Sequence, residues 1–281
     1  MKGSPFRKTA FWVFHYTVIG LYVVVALFPL YWLLKVSVTP NNLLLYSEGV
    51  RMWPSRMTFD HYLSVIHHTD FPLFFRNSVI VAAGTAVFTT LFAAGTGYAF
   101  SRFVFRGKFW LIGLMLVTQM FPLVMIIAPI FRMFAPLGLT NSLTGLIIIY
   151  TAFNVPFAAF LMQSFFDAVP RELEEAAMID GATRFGALRQ IVLPLTMPGI
   201  AATLGFIFTA AWSELLFALM LNSKQDTTTF PVGLLTFVSK FSVDFGQMMA
   251  AGVLALIPVC IFFFLIQRHL VQGLTAGAVK G

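Results

Sequence analysis

Charge is what this sequence most lacks. Asp, Glu, Lys and Arg make up 10% of its 281 residues, against roughly 25% in a soluble globular domain. A water-soluble fold of ordinary composition is excluded on that ground alone. Cysteine is almost absent as well. Cys260 is the single thiol and lies in an apolar run, so neither an intrachain disulfide nor a thiolate metal cluster is available. The GxxxxGK[ST] phosphate loop is missing, as are HExxH, GxSxG and CxxC patterns. The chain is therefore not expected to bind ATP through such a loop or to be an enzyme of those classes. The basic segment 1–10 is followed by an apolar run too long for a signal-peptide core and without a small-residue cleavage pattern, so no cleavable leader is expected.

What the chain has instead is oil. Apolar residues reach 59%, Phe alone numbers 33 and the mean hydropathy is +0.86, which marks an integral membrane protein. A helix needs about 20 apolar residues to cross a hydrocarbon core of about 30 Å. Six stretches free of Lys, Arg, Asp and Glu are long enough. They predict an all-α protein with six transmembrane helices at 12–35, 75–101, 109–131, 143–166, 198–220 and 246–267, the fifth carrying Glu214 within it. Pro29, Pro122, Pro129, Pro156 and Pro258 fall inside these spans and are expected to kink them. Ala82, Ala83, Gly84, Ala86, Ala93, Ala94, Gly95 and Gly97 make the second helix rich in small residues. Such a face suits ordinary bundle packing or a subunit seam equally.

Basic residues vote on orientation. With the N-terminus inside, Lys2, Arg7, Lys8, Arg102, Arg106, Lys108, Arg171, Arg184, Arg189, Arg268 and Lys280 are cytoplasmic. Lys35, Arg51, Arg56, Arg76, Arg132, Lys224 and Lys240 are outside. Eleven against seven favours both termini in the cytoplasm. The scatter of these charges argues against a nucleic-acid partner. The largest outer segment, 39–74, holds a short amphipathic stretch at 59–68 for which Thr58 is the expected N-cap. His61, His67 and His68 lie there without the carboxylate or cysteine pattern of a metal site, so no metal is expected.

One polar block interrupts the second half, from Pro170 to Pro198. With Asp167 just before it, it gathers Arg171, Glu172, Glu174, Glu175, Asp180, Arg184 and Arg189. Pro170 suits the first helical position, and Glu172 and Glu174 suit the positive end of a helix. Leu173, Ala176, Ala177 and Asp180 fall on one face, Gly181 is placed to end the helix in a left-handed turn, and a second piece follows at about 182–191. Pro194 and Pro198 then turn the chain into the membrane. A helix–Gly–helix element of this kind either relays a push from a partner or merely caps the bundle.

Here the sequence resembles a family. Glu175-Ala176-Ala177, then Gly181, then Ile191-x-Leu193-Pro194 reproduces the EAA signature of importer-type ABC permeases at every fixed position. Arg76-Asn77-Ser78, Ile179-Asp180-Gly181-Ala182, Trp212 and the ending Gln272–Gly281 narrow the resemblance to sugar-importer permeases similar to the second maltose-type subunit. The family usually has Asn after that Trp, where this chain has Ser213.

The resemblance implies a type I ABC importer permease fold in a bacterial or archaeal cytoplasmic membrane. It divides the chain into a cytoplasmic N-terminus (1–11), a permease domain (12–267) whose coupling loop is 167–197, and a tail (268–281). Glu175, Ala176, Ala177, Asp180, Gly181, Ile191, Leu193 and Pro194 would meet the ATPase subunit, and Gly273, Leu274, Thr275, Gly277 and Lys280 would reach into the ATPase dimer. Expected partners are a second homologous permease, two copies of the ATPase, an extracytoplasmic sugar-binding protein, the carbohydrate and membrane lipid. ATP and Mg would be bound by the ATPase, leaving this chain without cofactors.

Glu214 is the one carboxylate deep in a predicted span, where exposure to lipid is costly. It lines the cargo path, with Trp212 as a stacking face, or else reaches the outer surface. Gln119, Asn154 and Gln163 either bind sugar hydroxyls or satisfy a neighbouring helix. An ion-coupled secondary transporter is the competing class, but it calls for repeats and matched intramembrane charges that are not evident.

Overall fold

The computed structural model describes residues 5–46, 51–238 and 243–278. Its regular elements among the described residues are helices, and the only β pairing there is an isolated bridge between Val238 and Val243. The chain divides into two compact units, residues 1–71 with 234–256 and residues 72–233 with 257–281.

The first unit contains α1 (Pro5–Ser37), α2 (Asn41–Tyr46) and α3 (Asp60–His67). From Phe11 to Phe28 the side chains of α1 are exposed, as expected of an all-round apolar helix made for a non-aqueous surrounding. At and beyond its end the polar groups pair closely. Thr39 Oγ1 donates to Lys35 O at 2.6 Å, and Ser37 Oγ lies 2.7 Å from Tyr62 Oη. Asn41 Nδ2 donates to Asp244 Oδ1 at 2.9 Å, and Asp244 Oδ1 also accepts the Gln247 N–H. His61 is buried with Nε2 3.0 Å from Thr39 O, and the described residues hold no cluster fit for a metal. Phe59, not Thr58, occupies the N-cap of α3. The Thr58 hydroxyl accepts instead from the Asp60 N–H, one residue too early to cap the helix.

The second unit is built on α4 (Phe71–Arg102), α5 (Lys108–Met120), α6 (Leu123–Phe134) and α7 (Leu143–Asp167). It continues through α8 (Arg171–Ile179), α9 (Arg184–Leu195), α10 (Met197–Trp212) and α11 (Leu216–Leu221). The last helix, α12 (Phe245–Ala278), supplies its residues from 257 onward. Small residues on one face of α4 are buried, among them Ala82, Ala86, Ala93 and Gly97. A Cβ at Gly97 would stand 2.8 Å from the backbone nitrogen of Gln163, so α4 and α7 touch main chain to main chain. Asn77 is fully buried near the opposite end of α4, donating to Asp226 O and Thr228 O at 2.9 Å each. Ser78 Oγ accepts from the Phe230 N–H at 2.8 Å.

Among the described residues four helices are long and apolar enough to cross a membrane, and up to six spans result if each of two bent pairs counts as one. The continuous helix expected over 109–131 is broken between Met120 and Leu123, where α5 and α6 meet at 101°. Pro122 has no N–H to continue the ladder and biases Phe121 to extended backbone, here φ −74° and ψ 130°. The expected 198–220 helix also stops early. α10 ends at Trp212 and Glu214 sits in the gap before α11, outside any helix. Its carboxylate accepts the N–H groups of Phe217 and Ala218 in the first turn of α11.

Candidate functional site: a helix–glycine–helix element and a polar cavity

α8 starts one residue later than expected, with Pro170 as the extended N-cap. It closes as the glycine requires. Gly181 has φ +92°, its N–H reaches Met178 O at 3.2 Å, and the Ala182 N–H reaches Ala177 O at 2.9 Å. These two bonds form a Schellman closure, which needs a left-handed residue that glycine supplies without a Cβ penalty. The second piece is longer than expected. α9 runs to Leu195 with a π-helical segment at Leu188–Val192, and the chain bends by 71° into α10. Pro194 lies inside the helical run, and the turn falls at Thr196, ahead of Pro198.

The element presents an open face. Glu175, Ala176, Asp180, Gly181 and Pro194 are exposed, while Ala177, Ile191 and Leu193 are half-buried. Two apolar side chains flank the glycine turn fully in the open, Ile179 at 85% exposure and Phe185 at 73%. Single exposed apolar residues are ordinary, but these two stand on either side of one turn. Of the proposed tail, Gly273, Leu274, Thr275 and Gly277 fall within α12, and Lys280 lies outside the described residues.

Beneath that face lies a polar anchor that the periodicity did not reveal. Glu174 is buried, forms an ion pair with Arg102 and accepts the Tyr98 hydroxyl at 2.9 Å. Arg102 also donates to Val169 O at 2.9 Å, and Arg171 donates to Ser101 O at 2.7 Å. The Ser101 hydroxyl donates to the carboxylate of Asp167. The last turn of α4 is thus bonded to the end of α7, the connecting turn and α8. Arg102 additionally complements the negative end of α4. The available signal was the pairing of Arg102, a basic residue in a helix's last turn, with the acidic first turn of α8.

The candidate path residues divide. Gln119, Asn154 and Glu214 line one cavity of about 300 Å³ together with Thr118, Phe121, Leu123, Tyr150, Phe153, Ala210 and Phe217. Trp212 does not join them. It is 3% exposed and packed in an aromatic cluster, its ring centroid 5.8 Å from that of Phe208 and 4.7 Å from that of Phe230. Only Ser213 separates Trp212 from Glu214, and the end of α10 turns the two to different sides. Gln163 is also elsewhere, its amide 3.5 Å from Asp167. Glu214 is well held. Its Oε1 accepts from Phe217 N at 3.0 Å, and its Oε2 accepts from Ala218 N at 3.3 Å and from the Tyr150 hydroxyl. The carboxylate satisfies the open start of α11, where negative charge is favoured.

The family model described as "Binding-protein-dependent transport system inner membrane component" matches residues 86–276, more than half of the chain and all of the helix–glycine–helix element. The chain belongs to this family. Proteins similar to it include the diacetylchitobiose uptake system permease protein of Streptomyces coelicolor, 36% identical over 90% of this chain and 92% of that one. The trehalose transport system permease protein of Mycobacterium tuberculosis is 34% identical over 98% and 99%, and the trehalose/maltose transport system permease protein of Thermococcus litoralis is 34% identical over 93% and 94%. Among solved structures, a bacterial ABC transporter involved in the import of the acidic polysaccharide alginate superposes with a TM-score of 0.81. It covers 95% of this chain and 99% of that one at 22% identity, which speaks to the fold. As a binding-protein-dependent inner membrane component, the chain is a multi-pass membrane protein with the type I ABC importer permease fold.

Proposed function

We propose that this chain is the permease subunit of an ATP-driven sugar importer, itself without catalytic activity. ATP and Mg are held by two copies of a separate ATPase, and the sugar is delivered by an extracytoplasmic binding protein. Six spans, each bent pair counted once and both termini cytoplasmic, form half of a pathway that a second homologous permease completes. The relatives named for diacetylchitobiose, trehalose and maltose support a small oligosaccharide as cargo.

The observation that carries this reading is the Schellman closure at Gly181 with Ala176, Ile179 and Phe185 exposed around it. In this reading the ATPase grips that face, and Glu174 passes its motion to α4 through Arg102. The tail from Gly273 to Lys280 contributes a second contact with the ATPase dimer. Gly181→Asp is the test. The variant is expected in the membrane at ordinary abundance, with ATP-dependent sugar uptake abolished. Normal uptake with normal co-purification of the ATPase would refute the assignment.

A further inference from the structure

We propose that the cavity bounded by Gln119, Asn154 and Glu214 is a carbohydrate subsite that admits uncharged sugars and excludes anionic ones. This rests on the sugar-permease reading and deepens it by naming the charge class of the cargo.

Each hydroxyl and amide of the cavity already donates one hydrogen bond within the protein. The Thr118 hydroxyl donates to Met115 O at 2.7 Å, and the Tyr150 hydroxyl donates to Glu214. The Gln119 amide donates to Phe153 O at 3.1 Å, and the Asn154 amide donates to Tyr150 O at 2.8 Å. Those bonds orient the two amides and use one N–H of each, leaving each carbonyl oxygen and one further N–H for a ligand. The Thr118 lone pairs and the Glu214 carboxylate point the same way chemically. The end of α5 adds to this, because the last carbonyls of a helix have no intrahelical partner and Pro122 brings no N–H to them. Acceptors therefore outnumber free donors in the lining. A sugar, which carries a hydroxyl donor on most of its carbons, is the complementary ligand.

Aromatic surface completes the fit. Phe121 is 58% exposed because the break at Pro122 turns it out of both helices, and Phe153 and Phe217 lie along the same lining. Their faces suit the C–H surface of a sugar ring. The volume of about 300 Å³ is at the lower end of small-molecule sites, a size for a mono- or disaccharide unit. No Lys, Arg or His is among the lining residues. An anionic sugar would meet the Glu214 carboxylate and the negative end of α5 without a counter-charge, in a site partly shielded from water. A bare cation is less well served, because both carboxylate oxygens already accept backbone N–H groups and three Phe rings share the wall.

The test uses the complete importer in vesicles, with Thr118→Cys placed in a Cys260→Ser background so that one thiol in this chain reports on the cavity. ATP-dependent uptake of trehalose, maltose and diacetylchitobiose first identifies a carried sugar. That sugar, and its counterpart with one primary alcohol oxidised to a carboxylate, then compete with a hydrophilic thiol reagent. The neutral sugar is expected to protect the introduced thiol at concentrations at least 10-fold lower than the carboxylate form. Glu214→Gln should narrow that gap below 3-fold. Should that variant fail to fold, Gln119→Leu should still weaken protection by the neutral sugar about 10-fold. Equal protection by both sugars, a thiol the reagent never reaches, or protection that follows sodium rather than sugar would overturn the subsite. Uptake of none of the sugars would instead refute the sugar-permease reading itself.

Discussion

Glu174 and Glu175 are neighbours in sequence with opposite surroundings. Glu175, part of the signature, is exposed, whereas Glu174 is buried against Arg102 and Tyr98. A helix turns about 100° per residue, so adjacent carboxylates can serve an outer partner and an inner anchor at once. Removing one member of a buried ion pair costs about 3–5 kcal/mol, since the other charge is left unpaired. Glu174→Gln is therefore expected to loosen α8, read as faster hydrogen exchange across 171–181. Combining it with Arg102→Met should restore much of the protection. An exchange rate in the single variant equal to that of the parent would show that the pair is not holding the helix. Gly181→Ala is a milder change. A left-handed alanine costs about 1–2 kcal/mol, so uptake should fall several-fold without the complete loss expected of Gly181→Asp, which also adds charge beside Asp180.

At the scale of elements, the same residue type has different consequences along α4. Gly97 abuts the backbone of α7, while nothing stands within 4 Å of a Cβ at Gly95. Gly97→Leu is expected to force the helices apart at a cost of about 1–3 kcal/mol or more, lowering the unfolding temperature of the solubilised protein by several degrees. Gly95→Ala should stay within about 0.5 kcal/mol of the parent. A matching loss of stability in both would contradict the α4–α7 contact. The breaks matter as much as the helices. Pro122 separates α5 from α6 and exposes Phe121, and the gap after Trp212 lets Glu214 face Tyr150 and the start of α11. Both breaks open onto one cavity, so local interruptions of helical bonding supply its polar character.

For the whole molecule, the proposed function has work entering from outside the chain. Uptake by vesicles carrying the assembled importer should be lost with orthovanadate and persist when sodium and proton gradients are collapsed. The reverse pattern would return the function to an ion-coupled carrier, which family membership already disfavours. The long apolar α1 is exposed from Phe11 to Phe28, and lipid or neighbouring subunits are what such a surface requires. Counts of charge and apolar length already demanded a membrane, because the cost of stranding polar groups in hydrocarbon depends on composition and run length and not on fold.

The sequence by itself determined the membrane class, most of the helices, the glycine turn at Gly181 and the family signature around it. These are local properties, written in hydropathy, backbone preference and fixed spacing. It also marked Gln119, Asn154 and Glu214 as polar residues in apolar surroundings. Only the tertiary structure decided that those three meet while Trp212 turns into an aromatic cluster, because the helix break at 213–215 sends neighbours to different sides. The joining of Arg102 to Glu174 was likewise decided in three dimensions, since the two lie on separate helices and each is an ordinary terminal charge in its own. The polar element thus has a legible outer face and an inner attachment that only packing could assign.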